Sequence, residues 1–275
     1  MINILRVEFF RLIKSKLFWI MLAICFAAPI LLSLALVGLV SLIDAIGGTD
    51  SNNISYLLHT IGVTPLTLSE LPNVSGNIFL LSLISSSVIL SKEFTDGTMR
   101  NAILANKSRK QLFFAYLIVA IFIGIAYLLT YFISTLIFVL PIFGFNDLPA
   151  GDAATGFLCS LALGICAVVF VQTCVIMFLF SVRKQWATVL FPILITRFVP
   201  ALFSIIVSII TVGEAFQGNT LSEAFISWMP FVNASLFNAA AVNGALVGKI
   251  LLYYAIFSGV FIVSGYFTFE KADLK

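Results

Sequence analysis

Ser91-Lys92-Glu93-Phe94-Thr95-Asp96-Gly97-Thr98-Met99-Arg100-Asn101-Ala102-Ile103-Leu104-Ala105-Asn106-Lys107-Ser108-Arg109-Lys110 carries seven charged residues, five of them basic, between two apolar runs. Before it, Leu71 to Ser91 is uncharged and rich in serine. After it, Gln111 to Asn146 holds no charge over 36 residues. A helix needs about 20 apolar residues to cross the hydrocarbon of a bilayer. The stretch therefore reads as the polar connection between two transmembrane helices, and its basic excess sets the side on which it lies.

The rest of the chain agrees. Of 275 residues 61% are hydrophobic, 10% are charged and 28 are Phe, and the mean hydropathy is +1.14. A soluble domain carries about 25% charged residues, so lipid must solvate most of this surface. Backbone crossing lipid must bond itself internally, and uncharged runs of this length predict an all-α polytopic membrane protein.

Six spans are expected: 17–43, 71–91, 111–142, 153–182, 185–213 and 250–269, in one domain covering 1–275. Pro29 is a candidate kink in the first, and Pro192 and Pro200 interrupt the fifth. Ser82, Ser85, Ser86 and Ser87 in the second favour close helix contact. Residues 1–16 predict an amphipathic helix in the headgroup layer, with Ile2, Leu5, Phe9, Leu12 and Ile13 on one side and Asn3, Arg6, Glu8, Arg11, Lys14 and Ser15 on the other. The alternative is an ordinary basic flank that orients the first span. The apolar run after Lys16 is too long for a signal peptide core. Segment 214–247 is too apolar for a free loop yet broken by Gly218, Pro230 and Asn233. It fits a re-entrant outer segment packed on protein, with a plain loop as the alternative.

Charge gives the orientation. The N-terminus, the polar stretch, Arg183-Lys184 and the tail hold 13 of the 15 basic residues, whereas the three opposite segments hold none between their helices. The positive-inside rule then puts both termini and the polar stretch in the cytoplasm.

Most catalysis is excluded by inspection. A single histidine, His59, cannot supply a zinc-protease pair or a multi-histidine metal site. Cys25, Cys159, Cys166 and Cys174 lie in apolar runs and read as packing residues. Gly244-Ala245-Leu246-Val247-Gly248-Lys249-Ile250 superficially matches a phosphate-binding loop, but it has one residue too few between the glycines and no Ser/Thr after the lysine. It reads instead as a small-residue packing pair, Gly244 and Gly248. The chain is expected to hydrolyse no ATP by itself.

Glu93-Phe94-Thr95-Asp96-Gly97-Thr98-Met99-Arg100-Asn101, with Leu104 and then Ser108-Arg109 entering an apolar helix, resembles the first cytoplasmic loop of the type-2, export-class ABC transporter permeases. The resemblance extends over the chain: a basic amphipathic start, six helices, both ends inside and a re-entrant-looking segment before the last helix. It implies that 92–110 forms a short coupling helix docking on a separate cytoplasmic ATP-binding subunit, two copies per transporter. ATP and Mg would sit on that partner and no cofactor on this chain. It implies as well a homodimer, or a heterodimer with a similar permease, in the bacterial plasma membrane, bathed in lipid and without nucleic acid.

Local chemistry is consistent with docking. Thr95, Asp96 or Thr98 can cap a helix start, and Gly97 permits a tight turn. Phe94, Met99, Ile103 and Leu104 offer apolar surface, while Glu93 and Arg100 are suited to fixing register by ion pairing. Arg6, Arg11, Lys14, Lys16, Lys107, Arg109 and Lys110 are the candidate membrane-surface anchors. The chain departs from many relatives where Asn106-Lys107 replaces a proline and Tyr116 replaces a lysine early in the third span. Arg197 falls about 18 Å into its helix at 1.5 Å per residue, where an arginine is costly and marks a cavity or a partner. With Gln172 it is the candidate translocation-path residue; the alternative is that it bonds helix carbonyls or Gln172 itself. Uncharged, Phe-rich helices favour an amphipathic substrate such as an antimicrobial peptide, a drug or a lipid. Two rivals stand beside an exporter subunit: a self-contained secondary transporter or channel, and a non-transporting membrane scaffold.

Overall fold

The structure, a computed structural model, describes residues 2–47, 71–95, 108–139, 150–182, 184–199, 202, 205 and 244–271. Every element among them is helical: α1 (Ile2–Lys14), α2 (Lys16–Gly47), α3 (Leu71–Thr95), α4 (Arg109–Ser134), α5 (Ala150–Val182), α6 (Gln185–Ile193) and α7 (Gly244–Glu270). Two of these continue as π-helical turns, α4 through Thr135–Val139 and α6 through Leu194–Phe198.

Among the described residues Arg109–Phe138, Leu161–Val182 and Leu251–Glu270 are long and apolar enough to cross a membrane. A fourth candidate is the bent pair Ile4–Lys14 and Lys16–Leu31, whose axes differ by 64°. Of the six expected spans, 17–43, 71–91, 153–182 and 250–269 fall within described helices, 111–142 and 185–213 are described only in part, and 214–243 of the outer segment lies outside the described residues. Pro29 sits inside α2 without dividing it; the sharp break comes at Ser15 instead. There Ser15 N–H bonds the Leu12 carbonyl at 3.0 Å. The Trp19 indole N–H donates to the Ile13 carbonyl at 2.7 Å, satisfying one of the acceptors that a helix end leaves open.

Contacts fix the relative directions of the helices. Phe18 stacks on Tyr127 at 5.6 Å and the Ser134 hydroxyl donates to the Phe26 carbonyl at 2.6 Å, so α2 runs with α4. Phe113 meets Phe180 at 5.1 Å while Gly164 meets Leu128, so α5 runs against α4. Phe170 packs on Tyr254 and Phe180 on Phe269, so α7 runs with α5. The result gathers the end of α3, the start of α4, the α5–α6 turn, the end of α7 and helix α1 at one end of the bundle, hereafter the loop end.

Close approach is built from small residues. A Cβ on Gly124 would stand 2.4 Å from Val168 Cγ1 and 3.1 Å from Gln172 Nε2, so α4 and α5 need a glycine there. On α7 the close approach is at Gly265, where a Cβ would lie 3.1 Å from the Met177 Cα. At Gly248, expected to be a packing glycine, nothing among the described residues lies within 4 Å of a Cβ. Helix α7 thus closes on α5 toward the loop end, and only 17% of its spanning window is buried.

Ser82, Ser85, Ser86 and Ser87 of α3 are fully buried and bonded. Ser82 and Ser86 donate to carbonyls within their own helix. Ser85 shares a 2.7 Å bond with the Tyr127 hydroxyl. Ser87 donates to the Thr188 carbonyl of α6 at 3.1 Å. Pro192 lacks the N–H that would bond that carbonyl one turn on, and Ser87 supplies the donor from a neighbouring helix, as buried backbone in a membrane bundle requires.

Candidate functional site

The polar stretch 92–110 is anchored at both ends. On the entry side α3 extends to Thr95, one turn beyond the expected boundary at 91. Lys92, Glu93 and Phe94 therefore belong to a helix and not to the connection. This turns Glu93 inward: its carboxylate accepts from the Tyr116 hydroxyl of α4 and lies 3.1 Å from Arg11 Nη1 of α1. Glu8, one turn earlier on α1, lies 3.6 Å from the same guanidinium. Burial opposes the charge on Arg11, but Glu93 and Glu8 outweigh it and hold the Arg11 pKa above its ordinary value.

Glu8, Arg11, Leu12, Ser15, Lys92 and Glu93 face a small cavity of about 240 Å³ floored by Ile89, Leu90 and Val119. Phe94 packs edge-on against Phe180 of α5 at 5.7 Å.

This corrects the expected faces of α1. Glu8, placed on the basic side by periodicity, is only 7% exposed, while Ile13, placed on the apolar side, is 55% exposed. The inward face is Ile4, Glu8 and Leu12; Val7, Phe10 and Ile13 form a second, outward apolar face. The polar cluster draws Glu8 in, and the helix rotates to suit. Arg6, Lys14 and Lys16 are exposed, and Lys14 Nζ lies 4.4 Å over the Phe10 ring.

On the exit side Ser108 caps α4, its hydroxyl accepting from the Gln111 N–H at 3.4 Å. Arg109 does not simply point to the membrane surface: Nη1 donates to the Glu270 carbonyl at 2.7 Å and the Phe269 carbonyl at 3.4 Å, at the end of α7. Lys110 Nζ lies 5.9 Å from the Tyr266 ring centroid on the same helix.

Gly97, Thr98, Met99, Arg100, Ile103, Leu104 and Lys107 lie outside the described residues, as does the side chain of Arg197, whose backbone is in the π-turn Leu194–Phe198. The structure places Gln172 in the α4–α5 interface, fully buried against Gly124, with both amide atoms lacking a partner among the described residues.

The family model described as ABC-2 family transporter protein matches residues 4–199, more than half of the chain. The chain belongs to the ABC-2 transporter family. No curated protein and no solved structure matches it. The matched region of this ABC-2 permease runs from α1 to the middle of the fifth expected span, so it contains the polar stretch, Glu93 with its partners, and Arg109, but not the end of α7 to which Arg109 bonds. Membership makes it a membrane permease of an ABC transporter, a transport subunit whose family works with an ATP-binding partner. Sequence reading chose Glu93 but missed its partners. The one signal for them was Glu8, an isolated acid three residues before Arg11 in an otherwise basic segment. For Tyr116 the only signal was that it stood in place of a cation.

Proposed function

We propose that this ABC-2 permease is the membrane-spanning half of an ATP-driven exporter, moving an amphipathic substrate outward through a path formed by two copies or by this chain and a similar one. Six spans, cytoplasmic termini and a cytoplasmic 96–107 segment complete the reading. That segment docks two ATP-binding subunits, one per permease, with Met99, Ile103 and Leu104 as the buried edge and Arg100 setting register.

The observation that carries this reading is the anchoring of the stretch at both ends, Glu93 and Phe94 reaching α1, α4 and α5 and Arg109 reaching α7, so that force applied to it is passed to the bundle. Such coupling requires contacts that differ between the two states. Supporting a second copy is the outer face of α6 and its continuation. Trp186, Leu190, Leu194, Phe198, Leu202 and Ile205 are all exposed at helical spacing. They run beside an open apolar groove of about 760 Å³ lined also by Val88, Val189 and Ile193.

Expression of the chain together with candidate ATP-binding subunits, followed by purification on a tag carried by the permease, is expected to yield a complex with two of each. Its ATP hydrolysis should rise with an amphipathic substrate. A chain that transports when purified alone, or binds no ATPase, overturns the reading. Arg197 is proposed to face the path: Arg197→Ala should abolish transport at unchanged expression and assembly, and unchanged transport removes it from that role.

A further inference from the structure

The end of α7 is held by the first turn of α4. Arg109 donates two bonds to the Phe269 and Glu270 carbonyls, Lys110 faces Tyr266, and Phe113 meets Tyr266 edge-on at 5.8 Å. A cation at a helix C-terminus satisfies carbonyls that have no partner within the helix and complements the negative end of the dipole. Charge-assisted bonds of this kind are stronger than neutral ones.

The surrounding packing supports this contact. Phe269 is fully buried, with its ring 4.3 Å from that of Phe180, and Gly265 lets α7 close on Met177. Toward the other end Leu252, Ile256, Val260 and Val263 are all exposed. Tyr254 and Phe261 pack on Phe170 of α5, so α7 lies along α5, and its last two turns carry in addition the grip from α4, beside the exit of the polar stretch.

We propose that Arg109 is a positioning residue that makes α7 follow the polar stretch. Ser108 begins α4 directly after 96–107, and the next residue grips the last carbonyls of α7. A displacement of the stretch by a docked partner therefore passes through one side chain to a helix 160 residues away. Because the grip is on backbone carbonyls, it does not depend on the side chains at 269 and 270; it depends on a cation with donors at 109. The inference rests on the reading of 96–107 as the docking segment.

The test uses the full chain in lipid nanodiscs, without its native cysteines, with spin labels at the exposed positions Lys184 and Lys271. Without any partner, the wild-type chain and Arg109→Lys should give one narrow distance distribution, and Arg109→Gln a broadened one. In the assembled transporter, a non-hydrolysable ATP analogue should shift the distance in the wild type and in Arg109→Lys but not in Arg109→Gln. The latter should keep its ATP hydrolysis while transport per ATP falls about tenfold, the signature of lost coupling and not of lost folding. A wild-type distribution and a wild-type nucleotide shift in Arg109→Gln overturn the proposal. If no ATP-binding subunit assembles even with the wild-type chain, the exporter reading fails. The partner-free comparison still decides the grip, a broadened distribution supporting it and an unchanged one overturning it.

Discussion

Glu93→Ala is expected to leave the permease inserted in the membrane yet cut transport per ATP hydrolysed by about tenfold, a change worth ~1.4 kcal/mol. Glu93 is the acceptor on which two other helices converge: Arg11 from α1 at 3.1 Å and the Tyr116 hydroxyl from α4. Alanine there strands a buried hydroxyl and half of a guanidinium's partners, and an unsatisfied buried donor costs about 1–3 kcal/mol. The Arg11 side chain is 47% exposed, so water recovers part of that loss and the fold should survive. What fails is the fixed angle at which α3 hands the chain to the docking segment. Glu93→Gln keeps an acceptor for the Tyr116 hydroxyl while removing the charge opposite Arg11, and should lose less coupling than Glu93→Ala. Transport per ATP and detergent-extracted yield, measured side by side on the two variants, decide the matter. Wild-type coupling in Glu93→Ala removes Glu93 from the transmission path.

The second large effect is expected at Gly124. A methyl group there would meet Val168 Cγ1 at 2.4 Å and, one turn along the same helix, Gln172 Nε2 at 3.1 Å. Overpacking of this kind costs about 1–3 kcal/mol, and lipid offers no hydrophobic drive to press the helices back together. Gly124→Ala should lower the thermal midpoint in detergent, and Gly124→Leu should abolish recovery of monodisperse protein. Val168→Ala, by removing the clashing methyl groups, should rescue Gly124→Ala and leave Gly124→Leu unrescued. Wild-type yield and midpoint in Gly124→Leu would mean that α4 and α5 are not held at this separation.

The helices were legible because the hydrocarbon imposes one rule on every residue crossing it. Leu17 to Ile43 and Gln111 onward could only be helical, and the described helices cover them closely. The serines of α3 were legible for the same reason, since a hydroxyl in lipid must find a partner inside the protein.

What could not be read was which charged groups meet. Arg11 is 82 residues from Glu93, and the two meet because α3 continues to Thr95 and carries the carboxylate inward. Tyr116 looked like the loss of a cation, whereas its phenol supplies a hydrogen bond where an ammonium would have supplied charge. Arg109 was read as a surface anchor because a basic residue beside an apolar run ordinarily is one. Nothing in the sequence signals a bond to a main-chain oxygen 161 residues on.

The bond from Ser87 to the Thr188 carbonyl also constrains how the protein can change over time. Pro192 and the hydroxyl at 87 serve one carbonyl, though 105 positions separate them, and are expected to vary together. A lineage that first loses the proline regains an amide for that carbonyl, and position 87 is then free to drift to alanine. A lineage that loses the hydroxyl first exposes an unbonded carbonyl in an apolar interior, at a cost of about 1–3 kcal/mol. Substitution is therefore expected to be ordered, with 192 free to change before 87, and relatives that keep a proline at 192 should keep a donor at 87.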